Sequence, residues 1–272
     1  MQEQSVHPPI AQVSTSLQEA YPDFYSDRTT AWREMGARYK AQNIIHVSRG
    51  RRFPRVLECG AGDGSIIKYL DQHSFCEELF AIEISDSGIA QMQKHDIKSL
   101  KEIKKFDGYQ IPYADGEFDL AYCSHVIEHV EHPRLLLREL KRVSKFQIFE
   151  VPLDYSPHVD TQIEHFLGYG HINIYTPSLF KFLLKSEGFK VHEQRVTNIP
   201  KEVLSFIADK KATSTKRSMM QALKLFLHPV LKVVKWRFIK LRYSGEYGFS
   251  AFTCLTSGEG KLRVFDAHAN SL

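Results

Sequence analysis

The sequence predicts an α/β domain built on a doubly wound, mostly parallel sheet. Two observations predict it. Short strand segments alternate with helical segments through the middle of the chain. Those strand segments are continuously apolar rather than alternating, as expected where helices cover both faces of a sheet. The chain has 272 residues, 43% hydrophobic and 25% charged. That length suits one large domain, with or without an inserted cap.

The elements follow in order. The stretch to Ser16 is polar, holds two prolines and has no apolar core. Residues 1–25 therefore read as a loose N-terminal tail rather than a signal peptide. From Ser26 to Val47, Trp32, Met35, Tyr39, Ile44 and Ile45 recur at helical spacing. A basic loop with Gly50 and Pro54 precedes a strand over Arg55–Cys59. Gly60-Ala61-Gly62-Asp63-Gly64 then leads into a helix from Ser65 to about His73. A strand over Leu79–Ile84 and a helix near Ser87–Lys94 come next. Asp119–Cys123 reads as a buried strand.

Pro133 opens a helix to Val143 with an apolar stripe at Leu136, Leu140 and Val143. Phe146–Val151 is a strand closed by Pro152. After an irregular stretch to Tyr175, Pro177 opens a helix that Gly188 ends. Phe189–Val196 and Phe249–Thr256 are the remaining strands. The expected domain spans 26–257, with a loop at 153–176, a basic helical insertion at 198–247 before the last strand, and a C-terminal tail at 258–272.

Charge is uneven. Lys201 to Arg242 contains eleven Lys and Arg against two Asp and Glu, a local charge of +9 that leaves the rest of the chain at −5. The four cysteines are scattered, without a paired spacing, so reduced thiols in a cytoplasmic protein are expected. No apolar run reaches the ~20 residues that span a bilayer.

The glycine loop has a mechanical use. Glycines let backbone approach a ligand, and the following helix offers its N-terminus. Glu83 ends the next strand, where a carboxylate can accept from ribose hydroxyls. The spacing is Gly-x-Gly-x-Gly, and Glu58 precedes it. A carboxylate there would repel a pyrophosphate and favour a cofactor carrying an ammonium group. A nicotinamide-dependent oxidoreductase is disfavoured on both counts.

These residues, Val56 to Gly64, resemble the first motif of class I S-adenosylmethionine-dependent methyltransferases. Asp107 to Asp119 resembles the family's third region, and Ser124 to Pro133 the segment after its fourth strand. The resemblance implies a seven-stranded, Rossmann-like sheet and S-adenosylmethionine as cofactor. It further implies that Glu58, Gly60, Ala61, Gly62 and Gly64 hold the methionine part. Glu83 would hold the ribose, and Ile84 would pack on the adenine. Asp107, with Gly108 beside it, would accept from the adenine amino group. Ser124 and His125 would sit beside the methionine end.

Methyl transfer to a hydroxyl needs alignment and removal of a proton. His125 is the first candidate base, and His171 the second. Asp154 to Tyr175 holds His158, Asp160, Glu164, His165, His171 and Tyr175. Their spacings match no tight ligand motif, so no metal is expected. Acceptor recognition is the favoured reading of this loop. Tyr21, Phe24, Tyr25 and Trp32 would either cover the cofactor or pack a first helix on the sheet.

Met219 to Tyr243 carries an apolar helical stripe with basic residues between. A cap or homodimer helix is its leading reading, then peripheral membrane contact. Nucleic acid comes last, because aromatics spaced for base stacking are lacking. The expected reaction is methylation of an oxygen on a small molecule or a sugar or lipid-linked acceptor. RNA or protein methylation through the basic insertion, and a non-catalytic scaffold, are the alternatives.

Overall fold

The computed structural model describes residues 30–155, 163–168, 170–198 and 250–260, with positions 159, 200, 202 and 203. The N-terminal aromatics Tyr21, Phe24 and Tyr25 lie outside these residues. So do nearly all of the basic insertion, including 219–243, and most of the C-terminal tail.

The elements are α1 (Thr30–Ser48), β1 (Arg55–Cys59), α2 (Ser65–Gln72), β2 (Glu78–Glu83), α3 (Asp86–Met92), β3 (Leu100–Lys105), β4 (Phe118–Ser124), a 3₁₀ turn (Ile127–His129), α4 (Pro133–Val143), β5 (Ser144–Pro152), α5 (Ile163–Gly168), α6 (Pro177–Ser186), β6 (Lys190–Thr197) and β7 (Ala251–Ser257). The strands form one seven-stranded sheet in the order β3-β2-β1-β4-β5-β7-β6. β1 to β5 run parallel, and β7 pairs antiparallel with both β5 and β6. The doubly wound, mostly parallel sheet is thus present, with one reversed strand.

Alternate strand residues feed two cores. Leu57, Phe80, Ile82, Phe118 and Phe149 face α4 and α6. Val56, Leu79, Ala81, Leu120, Tyr122 and Ile148 face the other side, where Ala41 and Ile44 of α1 and Ile67 and Leu70 of α2 cover them. This two-sided burial explains the unbroken apolar runs.

Local chemistry sets the helix starts. Pro177 occupies the first turn of α6, and the Thr176 hydroxyl accepts from the Leu179 amide at 3.1 Å. The Ser85 hydroxyl accepts from the Gly88 amide to open α3. At the end of α6, Glu187 accepts from Arg134 Nη1 (2.5 Å) and Arg138 Nε (2.7 Å) of α4. Burial alone would raise the Glu187 carboxyl, but the two guanidiniums hold it below its usual range.

Two expectations need correction. β3 went unread because Leu-Lys-Glu-Ile-Lys-Lys holds only two apolar residues, Leu100 and Ile103, spaced three apart, and so shows neither an apolar run nor a two-residue alternation. The stretch between β5 and α6 is not wholly irregular, since α5 lies within it and buries Phe166. Among the described residues no helix is long and apolar enough to cross a membrane.

Candidate functional site

The strand order reverses between β1 and β4, and a crevice at the carboxyl ends of the strands is expected there. Gly60, Gly62 and Gly64 have φ of 74°, 57° and 78°, the left-handed region that glycine occupies without strain. Space is a second constraint. A Cβ on Gly60 would run into a Val126 methyl, and one on Gly64 would lie 2.5 Å from Met92 Cγ. The loop is fastened to β2, because the Gly60 and Ala61 amides donate to the Ile82 carbonyl at 2.9 and 3.2 Å.

Glu83 completes the cradle. Its Oε2 accepts from the Gly62 amide at 2.7 Å and its Oε1 from the Ser85 amide at 2.9 Å. Each carboxylate oxygen keeps a further lone pair, enough for two ribose hydroxyls. Burial raises the Glu83 carboxyl above its usual value, and these amide donors oppose the rise. The residues present therefore fit a nucleoside cofactor. Gly88 belongs to the same construction, for its Cβ would lie 2.8 Å from the Gly62 carbonyl oxygen. Gly88 carries no mark in the sequence, because it sits in an ordinary helix.

Glu58 is buried and accepts from the Tyr122 hydroxyl at 2.6 Å across the β1–β4 pair. Burial pushes its carboxyl well above the usual range, against the pull of Tyr122 and of the Lys40 charge. Asp107 Oδ1 accepts from the Tyr109 and Gln110 amides, so this carboxylate also shapes its own turn. Gly108 follows with φ of 96°, and Ile84 packs half-buried against the core. Ser124 donates to Glu150 Oε1 at 3.1 Å, engaging its hydroxyl inside the protein.

His125 directly follows β4. Its φ is 56°, a left-handed conformation that non-glycine residues hold at a cost of about 1–3 kcal/mol. Its Nε2 lies 3.4 Å from Glu150 Oε1 and its Nδ1 3.5 Å from Glu128 Oε1. Glu150 is buried and also accepts from Asn43 Nδ2 (2.8 Å) and Thr253 Oγ1 (2.7 Å). Burial would raise Glu150, but His125, Thr253 and the Lys40 charge together bring it below its usual value.

His171 arrives from the loop after β5. Its Nδ1 lies 2.6 Å from Asp154 Oδ2. Burial lowers its basicity, yet the Asp154 contact and the Glu128 charge outweigh it and leave His171 above its usual value. The Ile172 and Asn173 amides both donate to the Glu128 carbonyl, and Asn173 Nδ2 donates to the Val130 carbonyl at 2.8 Å. The loop is thereby tied across the 3₁₀ turn, and the rings of His129 and His171 stand 4.8 Å apart, edge to face.

Lys40 and Asn43 of α1 were not singled out in the sequence. The Lys40 charge acts on Glu150, Glu128, Glu58 and Asp63, and burial lowers its basicity. A signal was available. Ala37, Ala41, Ile44 and Val47 form the buried stripe of α1, and Lys40 and Asn43 fall on that stripe by helical spacing. Polar residues there need partners across the domain.

Residues 57–146 match the family described as a methyltransferase domain. A Bacillus subtilis protein named as a methyltransferase, YrhH, is 27% identical over 123 residues, 43% of this chain and 68% of that protein. An uncharacterized methyltransferase of Schizosaccharomyces pombe is 26% identical over 134 residues, 45% of this chain and 46% of its own length. Among solved structures, the magnesium protoporphyrin IX methyltransferase of Synechocystis, with S-adenosylhomocysteine bound, superposes with a TM-score of 0.50 at 14% identity. That match covers 82% of this chain and 84% of the other. The sheet order, the glycine cradle and the matched domain agree: the chain carries a methyltransferase domain with the Rossmann-like fold of S-adenosylmethionine-dependent enzymes.

Proposed function

We propose that the chain methylates an oxygen of a small-molecule or glycan acceptor, with His125 removing the acceptor's proton. One observation carries the proposal. The His125 imidazole stands between two buried carboxylates, Glu150 and Glu128, where β4 ends, and the adjoining Val126 packs on Gly60 of the cofactor loop. An imidazole beside a carboxylate is the commonest base at neutral pH, because the carboxylate orients the ring and stabilises its charged form.

Within this reading the sulfonium of the bound cofactor supplies an activated methyl group. Glu58, Gly60, Ala61, Gly62, Gly64 and Ser124 border the methionine part. Glu83 takes the ribose hydroxyls, and Ile84, Asp107 and Gly108 border the adenine. Glu150, held by Asn43, Ser124 and Thr253, keeps the His125 ring from turning. The 170–173 segment borders the acceptor side and presents His171 on Asp154.

Labelled S-adenosylmethionine, given separately with hydroxyl-bearing small molecules and glycans, with amines, with RNA and with protein, tests the acceptor class. Label is expected as a methyl ether or ester in the first group, at a rate little changed by salt. Label confined to RNA, with a rate falling steeply as salt rises, would overturn the proposal. So would label confined to protein.

A further inference from the structure

We propose that Glu128, His129 and His171 form a binding site for one divalent transition-metal ion of the zinc type. The donor atoms of the three residues lie within 4.8 Å of one another. About 2.0–2.2 Å separates zinc from nitrogen and oxygen ligands. Small side-chain rotations would therefore close the three donors on an ion.

Three features point to a ligand rather than to chance proximity. First, Glu128 is fully buried, and neither of its carboxylate oxygens accepts a hydrogen bond among the described residues. A buried carboxylate without a donor is costly unless a cation meets it. His125 Nδ1 and His129 Nε2 approach it only at 3.5 and 3.9 Å.

Second, both histidines are anchored through Nδ1. His129 Nδ1 lies 2.9 Å from the Gly170 carbonyl, and His171 Nδ1 lies 2.6 Å from Asp154 Oδ2. A metal-ligating histidine almost always donates its second ring N–H to a carbonyl or carboxylate in this way. With Nδ1 so engaged, each ring would ligate through Nε2.

Third, the site is braced. The backbone of 172–173 is bonded to the Glu128 carbonyl, so the two ligand-bearing segments form one unit. Two imidazoles and one carboxylate suit zinc, manganese, cobalt or iron better than magnesium or calcium, which take oxygen ligands. Spacing within one segment, from which no metal is expected, does not register ligands brought together from the 3₁₀ turn and a loop some forty residues on.

The ion is read on the protein alone, without cofactor or acceptor, so its failure would leave the oxygen-methylation proposal standing. The full chain, stripped with a chelator and dialysed, is titrated with Co²⁺ followed by visible absorption, and with Zn²⁺ by calorimetry. One equivalent is expected, with absorption typical of nitrogen ligation. Glu128→Gln, which keeps shape and removes charge, is expected to weaken binding at least tenfold, and His171→Ala likewise. Asp154→Asn is expected to weaken it by roughly tenfold through the His171 ring. Circular dichroism identifies any variant that fails to fold, and the wild-type spectrum then decides. Absence of saturable Co²⁺ and Zn²⁺ binding would overturn the proposal. Binding that survives both Glu128→Gln and His171→Ala in folded protein would do the same, by assigning the ion to other histidines.

Discussion

Gly60→Ala is expected to lower affinity for S-adenosylmethionine by about a hundredfold or more. Two costs combine at this position. The backbone is left-handed, with φ of 74°, which costs a residue with a Cβ roughly 1–2 kcal/mol. The added methyl would also collide with Val126, and overpacking costs about 1–3 kcal/mol. At about 1.4 kcal/mol per factor of ten, the strain is enough to unseat the loop from its binding conformation. Gly116→Ala is the matched control. Its φ is 65°, but nothing lies within 4 Å of its Cβ. That variant should lose about 1 kcal/mol of stability and keep cofactor affinity. Calorimetric titration of both variants checks the difference. Equal affinities would separate the glycine loop from cofactor binding.

His125→Asn is expected to reduce turnover by roughly 10²–10⁴, the range associated with loss of a positioned base. Asparagine is chosen because it tolerates the left-handed backbone that His125 adopts. Cofactor affinity should stay within a few-fold, since the cradle rests on Gly60, Gly62, Gly64 and Glu83. Kinetics and calorimetry on the same preparation separate the two effects. Wild-type turnover would move the base elsewhere, to His171 first.

The proposed cofactor half of the site can be read from the sequence because its residues are local. Glu58, the three glycines and Glu83 sit at the ends of two consecutive strands, and the roles proposed for them follow from contiguous residues. The sheet was legible where strands are buried on both faces. It was illegible at β3, an edge strand with four charged residues and only Leu100 and Ile103 apolar. The acceptor half is an assembly of distant parts. Glu150 gathers Asn43, Ser124 and Thr253 from three other elements. Glu128 and His129 meet His171 where the bonds from 170–173 tie the loop to the 3₁₀ turn. No spacing within one segment encodes those meetings. Lys40 and Asn43 were detectable in principle as polar interruptions of the α1 stripe, but their partners were not.

Calorimetric titration of the full chain with S-adenosylmethionine, S-adenosylhomocysteine and NAD, repeated on Glu83→Ala, tests the cofactor site directly. Saturable binding of the first two is expected, with no heat from NAD and affinity at least tenfold lower in the variant, which loses the proposed ribose acceptor and the anchor of the Gly62 amide. Binding of NAD alone, or S-adenosylmethionine binding that Glu83→Ala leaves unchanged, would contradict the proposed site.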